Sequence, residues 1–284
     1  MPAHNSKMLR TLFERLTRSS SVVIPDQLWA STLASLPFVM RLNADERSRL
    51  RKLASQLLSQ KQMTGAAGLE LTAAIQVNIA MQASLPVLNL GLDWYRGWNS
   101  IIVYPTEFLV PRELTDEDGV VHQYVEPIAG EAWDGGPVLL SWEDAQQSAT
   151  AGGAAYSVVM HEFAHKIDLL NGDADGVPPF SSVHKTLSTD RWRRAMHDAF
   201  ERFAAEVELI EAELPADLDL ESDTEERFFA RLPFDAYAAQ DTGEFFAVSS
   251  EAFFVAPQRL RSAFPEWYAL LTEFFLQNPA ALHE

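Results

Sequence analysis

Residues 157 to 168, SVVMHEFAHKID, constrain the fold more than any other stretch: the apolar residues demand burial, while two histidines and a glutamate demand partners. Val158, Val159, Met160, Phe163, Ala164 and Ile167, continued by Leu169, make a helix apolar enough to lie in a core. Charged groups carried into a core must be paired or must bind a metal. On a helix, residues i and i+4 sit one above the other, so His161 and His165 aim two imidazole nitrogens at one cation. Glu162 lies one position round the helix, where it reaches a water on that cation without ligating it. Two neutral imidazoles and a carboxylate leave a fourth position open for water, which suits Zn²⁺. A water so activated loses its proton to the glutamate and attacks a polarised carbonyl. H-E-x-x-H on a helix is the short pattern of such metal-dependent hydrolysis.

The ion needs one more protein ligand. Metzincins continue the pattern to a glycine and a third histidine, but Asp168 and Asn171 stand at those places here. Asp168, three residues beyond His165 on the same face, suits either an acceptor for an imidazole N–H or a structural carboxylate near the helix end. A later stretch, DTGEFFAVSSEAFF, offers Glu244 and Glu251, two turns apart on one face among phenylalanines. Spacing alone does not choose between them. Asp241 followed three residues later by Glu244 also fits a capping box.

Composition narrows the ligand class. Forty acidic against 22 basic residues give a net charge of −18, which repels a phosphate backbone and points away from direct nucleic-acid binding. No stretch approaches the roughly 18 apolar residues of a membrane span. The absence of cysteine rules out disulfides and cysteine-based zinc sites. The first 25 residues break their apolar run with Arg10, Glu14, Arg15 and Arg18, so an amphipathic helix is expected there and not a signal peptide. A cytoplasmic enzyme is the simplest expectation.

Along the chain, Asn43 to about Met63 has helical periodicity, with Asn43 and Glu46 spaced as a capping box. A second helical stretch runs from about Leu69 to Ser84, before Pro86. SIIVYP reads as a strand, FLVPREL and VVHQYVEP as a hairpin around TDEDG, and PVLLSW as a further strand. The motif helix is expected to begin after Gly152–Gly153 and to stop at Asn171–Gly172. Residues 190 to 214 look helical, residues 211 to 226 carry eight carboxylates and read as a solvated acidic loop, and the tail reads as two aromatic-rich helices. His4 and His283 are expected in solvent. His122, His184 and His197 are expected as surface or hydrogen-bonded histidines, and Trp94, Trp98, Trp133 and Trp142 as core or cleft-wall residues.

VVMHEFAHKIDLLNGDADGVPP followed by DAYAAQDTGEFFAVSSEAFFVAP resembles the bacterial Mlc titration factor A family, gluzincin-type zinc peptidases with a core similar to that of anthrax lethal factor. The resemblance extends through SIIVYP and VLLSWEDA, covering most of residues 100 to 257 and, more loosely, the helical N-terminal part. It implies His161, His165 and Glu244 as zinc ligands and Glu162 as general base. It implies Tyr237 as the oxyanion donor and Glu251 as an outer carboxylate that supports the ligands. It further implies aminopeptidase-type activity on small peptide substrates and, from the family's name, a glucose-responsive transcriptional repressor as partner. The stretch between the two motifs is longer here than the family pattern. A loop insertion there leaves the site intact and can cover the cleft.

These readings converge on a mostly helical α+β protein of zincin-like metallopeptidase fold with a small antiparallel β-sheet. Residues 1–98 are expected as a helical part packed on a catalytic core of residues 99–284. The strand PVLLSW is a candidate for edge pairing with an extended peptide. Two rivals stand beside the zinc peptidase. One is a non-catalytic protein that sequesters a repressor, for which an intact Glu162 and Tyr237 are unneeded. The other is a structural metal site, which requires a fourth protein ligand that the sequence does not obviously supply.

Overall fold

Asn43 sets the first long helix in place: its side chain accepts from the Glu46 N–H at 2.9 Å while the Glu46 carboxylate accepts from the Asn43 N–H at 2.8 Å. Both halves of the expected capping box are therefore made. A computed structural model describes residues 22–115, 121–147, 156–214 and 228–281. The expectations for the N-terminal amphipathic helix, for His4 and His283, for the TDEDG turn, for the start of the motif helix at Gly152–Gly153 and for most of the acidic run fall outside the described residues.

The helices, in chain order, are α1 (Asp26–Ser35), α2 (Ala44–Gln60), α3 (Ala73–Ser84), α4 (Trp142–Gln147), α5 (Val158–Asp168), α6 (Thr189–Glu213), α7 (Thr242–Val255), α8 (Pro257–Ala263) and α9 (Pro265–Phe275). The strands are β1 (Gln62–Gly65), β2 (Ser100–Tyr104), β3 (Phe108–Thr115), β4 (Val121–Ile128), β5 (Gly130–Ala132) and β6 (Val138–Ser141). The fold is α+β and mostly α, as expected. The tail holds three helices where two were expected, because Pro257 and Pro265 each open a new one at its first turn.

The sheet departs from the antiparallel expectation. Its order is β1-β2-β6-β5, with β1, β2 and β6 parallel and only β5 antiparallel, while β3 and β4 form the expected hairpin apart from it. Parallel neighbours need a crossover of a dozen or more residues, and α3 provides it between β1 and β2. β6 lies between β2 and β5, so it has no free edge for a peptide, and it is buried at all four positions. Among the described strands of this sheet, β1 and β5 are the edges.

One apolar cluster runs from Ile24 to Ala280 and includes α3, α5, α7 and α9. α7 is buried nearly all round, with Phe245, Phe246, Phe253 and Phe254 at 2% exposure or less. Each such ring is worth roughly 1.5–3 kcal/mol of burial. Arg41 holds the C-terminal end of α7, donating to the carbonyls of Phe254 and Val255 at 3.3 and 3.0 Å. Thus α7 is pinned from the N-terminal part of the chain and packs along α5. No helix among the described residues is long and apolar enough to cross a membrane.

Candidate metal centre

Helix α5 begins at Ser157, whose hydroxyl accepts from the Met160 N–H, and passes into a 3-10 turn, Leu169–Asn171, before Gly172 at φ 125°. The C-terminal stop at Asn171–Gly172 is where the sequence puts it. The apolar face of α5 is buried, and His161 and His165 emerge together on the face toward α7. Their Nε2 atoms lie 3.1 Å apart.

The third group comes from the first turn of α7. Asp241 caps that helix by accepting from the N–H groups of Gly243 and Glu244. Glu244 does not complete a capping box. Its side chain turns instead to the histidines, with Oε2 3.1 Å from His161 Nε2 and 3.3 Å from His165 Nε2. One ligand atom from each of His161, His165 and Glu244 therefore lies within 4.8 Å of the others, a group that can hold a metal ion. Among the described residues it is the one such group.

Glu251, two turns further along α7, meets the other side of the same ring: its Oε1 lies 2.7 Å from His161 Nδ1. Its Oε2 accepts from the Ser157 N–H at 2.7 Å. The two glutamates that spacing could not separate thus take different nitrogens of one imidazole. With Nδ1 turned to the Glu251 carboxylate, Nε2 is the nitrogen that faces the cluster.

Electrostatics follow from burial and these contacts. Burial opposes a charge on His161, yet the carboxylates of Glu244 and Glu251 on its two nitrogens outweigh it and hold its pKa well above the ordinary imidazole value. Burial pushes Glu244 up, but hydrogen bonds from His161 and His165 hold its carboxyl well below the usual range. Burial raises Glu251 despite its bond to His161. A ring held between carboxylates is a place where a cation can replace a proton.

Glu162 is 4% exposed, and its Oε2 is buried with no hydrogen-bond partner among the described residues. Burial pushes its pKa up to about 7 against the pull of His161 and His165. Gly130 on β5 packs directly on this carboxylate: a Cβ there would lie 2.4 Å from Glu162 Oε1. Sequence reading missed Gly130, because nothing local marks a glycine for close approach to a helix distant in sequence. On the same side of α5 as Glu162, Lys166 donates to the carbonyls of Trp133 and Gly136 and so ties the β5–β6 turn to α5.

Tyr237 lies in a 3-10 turn, Ala236–Ala239, just before α7 and is half exposed, with its ring centre 6.2 Å from that of His161. Asp168 does not reach an imidazole in the contacts observed. Its Oδ2 accepts from the Gly176 N–H at 2.7 Å, so it acts as the structural carboxylate of the two roles left open for it. Gly243, at the start of α7, lies so close to the same loop that a Cβ would be 2.3 Å from the Ala174 carbonyl oxygen. The loop after α5 is thereby docked on the turn that carries Glu244.

Among the described side chains, His184 and His197 stay apart from the cluster. His184 is buried, with Nδ1 accepting from the Ser181 N–H and Nε2 3.0 Å from the Phe274 carbonyl oxygen. His197 is exposed beside Glu201. Trp94 and Trp98 are core residues, whereas Trp133 is half exposed.

Comparison with known proteins gives the family of the chain. The family model of the glucose-regulated metallo-peptidase M90 matches residues 10–276. Mlc titration factor A of Salmonella arizonae is 34% identical over 255 residues, covering 90% of this chain and 92% of that protein. The proteins of the same name from Yersinia pestis and Yersinia pseudotuberculosis are each 34% identical over 254 residues, covering 89% of this chain and 85% of theirs. Over nearly its whole length, then, the chain belongs to the glucose-regulated metallo-peptidase M90 family.

Proposed function

We propose that this chain is a zinc-dependent peptidase of aminopeptidase type, with His161, His165 and Glu244 holding one Zn²⁺, Glu162 as general base and Tyr237 as oxyanion donor. The observation that carries the reading is a buried carboxylate oxygen on Glu162 with no hydrogen-bond partner among the described residues, beside three converging donors. Zinc bonds of roughly 2.0–2.2 Å at tetrahedral angles set neighbouring donors roughly 3.3–3.6 Å apart. The three donors here lie 3.1, 3.1 and 3.3 Å apart, close to that spacing. No fourth protein donor closes the group among the described residues, which favours a catalytic over a structural site.

Zinc held there supplies Lewis acidity, polarising a substrate carbonyl and making a water more acidic. Glu162 takes the proton of that water and returns it to the leaving amine. Burial raises the Glu162 carboxyl above the ordinary carboxylate value, which makes it a better proton acceptor and lets it serve both transfers. The Tyr237 hydroxyl donates to the substrate oxyanion, and its half-exposed position beside His161 supports that role. An extended peptide pairs with the edge strand β5, whose Gly130 abuts Glu162 and so sets the peptide backbone next to the base. The aminopeptidase preference rests on the family resemblance.

A second reading has its own support in the relatives named Mlc titration factor A. This chain binds an Mlc-like repressor protein, with or without hydrolysis, and does so in the cytoplasm without touching DNA. Glu162→Gln separates the two: it removes peptide hydrolysis and leaves repressor capture in a pull-down intact. Hydrolysis at the wild-type rate by Glu162→Gln protein would remove the catalytic assignment.

A further inference from the structure

Glu251 is not the end of the hydrogen-bonded line that leaves His161. The Ser157 N–H occupies Glu251 Oε2 at 2.7 Å, and the Ser157 hydroxyl, besides capping α5, donates to Gln82 Oε1 at 2.8 Å. Gln82 lies on α3, in the N-terminal part of the chain, and is fully buried. Its Nε2 donates to Asn78 Oδ1 at 2.7 Å and to the Ala145 carbonyl on α4 at 3.0 Å. A carbonyl oxygen can only accept, so the amide nitrogen must face Ala145 and the amide oxygen must face Ser157. Ser157 then has one available arrangement: it gives its proton to Gln82 and offers its lone pair to Met160.

We propose that Gln82 is a positioning residue for the metal ligand His161, acting through Ser157 and Glu251. Every member of the line is buried: Ser157 and Gln82 at 0% exposure, Glu251 at 2% and Asn78 at 8%. In such surroundings an unpaired polar atom is costly, so each bond fixes the next. Asn78 and Gln82, four residues apart, anchor the line on one face of α3. Ser157 sets the start of α5, and Glu251 on α7 receives its N–H. The line thus joins α3, α4, α5 and α7 at one ring nitrogen of His161. Asn78 and Gln82 are buried among Val77, Ile79, Ala80, Met81 and Ala83, where polar side chains need partners, and this line supplies them.

The inference rests on the metal reading given above, and its test keeps the two apart. Zinc affinity is measured by competition with a chromophoric chelator for wild type, Gln82→Met, Ser157→Ala and the double variant. Val77→Ala, which removes packing from the same helix, is the control for a merely structural effect. Gln82→Met keeps the length of the side chain and removes its amide. Zinc binding roughly tenfold weaker in Gln82→Met is expected, within the range seen for partners of metal ligands. Ser157→Ala is expected to weaken it comparably, the double variant to be no weaker than the worse single one, and Val77→Ala to match wild type. The cobalt-substituted forms of the two single variants should show altered visible bands. Unchanged zinc affinity in Gln82→Met, an equal loss in Val77→Ala, or full additivity in the double variant would overturn the proposal alone. If Gln82→Met does not fold, unchanged affinity in Ser157→Ala overturns it and a loss there supports it. A wild type that binds no zinc removes the metal reading and this proposal with it.

Discussion

Gly130 and Glu162 touch so closely that the space a methyl group would need at 130 is filled by the Glu162 carboxylate, 2.4 Å from the ideal Cβ position. The edge strand β5 and the proposed base therefore share one boundary. Gly130→Ala is expected to push the strand and the carboxylate apart, at about 1–3 kcal/mol of stability for an overpacked interior. Peptidase activity should fall at least tenfold with zinc content unchanged. Urea unfolding with parallel kinetics checks both, and unaltered kinetics in Gly130→Ala would show that the contact does not matter to the chemistry.

Glu162→Gln should keep zinc and lose about 10²- to 10⁴-fold in kcat, the span of general acid–base catalysis. A base must be deprotonated to act, so wild-type kcat/KM rises with pH through the pKa of Glu162. That pKa is about 7 without a cation, and the positive charge of bound zinc moves it lower. The acid limb of the wild-type profile is thus expected below pH 7 and is expected to vanish in the variant.

Tyr237→Phe keeps the ring beside His161 and removes only the hydroxyl. Loss of an oxyanion donor costs roughly 10²- to 10³-fold in kcat. KM and zinc content should stay near wild type, and steady-state kinetics on a small aminoacyl substrate reads the difference.

Asp168 carries a pH signature of its own. Burial pushes its pKa up to about 8 from an ordinary 3.8. Between those values the folded state holds a proton that the unfolded chain has lost, so this group's contribution to stability is full at low pH and falls as pH rises through 8. Asp168→Asn has no such proton. Melting curves from pH 5 to pH 8 should show wild type losing ground steadily to the variant, and parallel curves would contradict the assignment.

Local features were legible in the sequence where a local signal exists. The Asn43–Glu46 box, the β3–β4 hairpin and the end of the motif helix at Gly172 each follow from neighbouring residues, and each is made. The parallel sheet was not legible, because β1 is four residues of QMTG that continue straight from α2 and carry no apolar alternation. The same holds for β6, which reads as a strand but takes its interior place only from its partners. At the site, His161 and His165 converge because a single helix enforces it. Glu244 and Glu251 stayed equivalent until α7 was set across α5, since both lie on the face that meets His161 and only depth decides which nitrogen each one reaches. Gly130 and Gln82 carry no motif at all, as their meaning lies in contacts made 30 and more positions away.

Zinc per chain, measured by elemental analysis after loading and desalting, tests the central claim most directly in wild type, Glu244→Ala and Glu251→Ala. The account predicts one zinc in wild type, almost none in Glu244→Ala, and retained though roughly 10- to 100-fold weaker binding in Glu251→Ala. Full zinc in Glu244→Ala with loss in Glu251→Ala would contradict it, as would a wild type that holds no zinc.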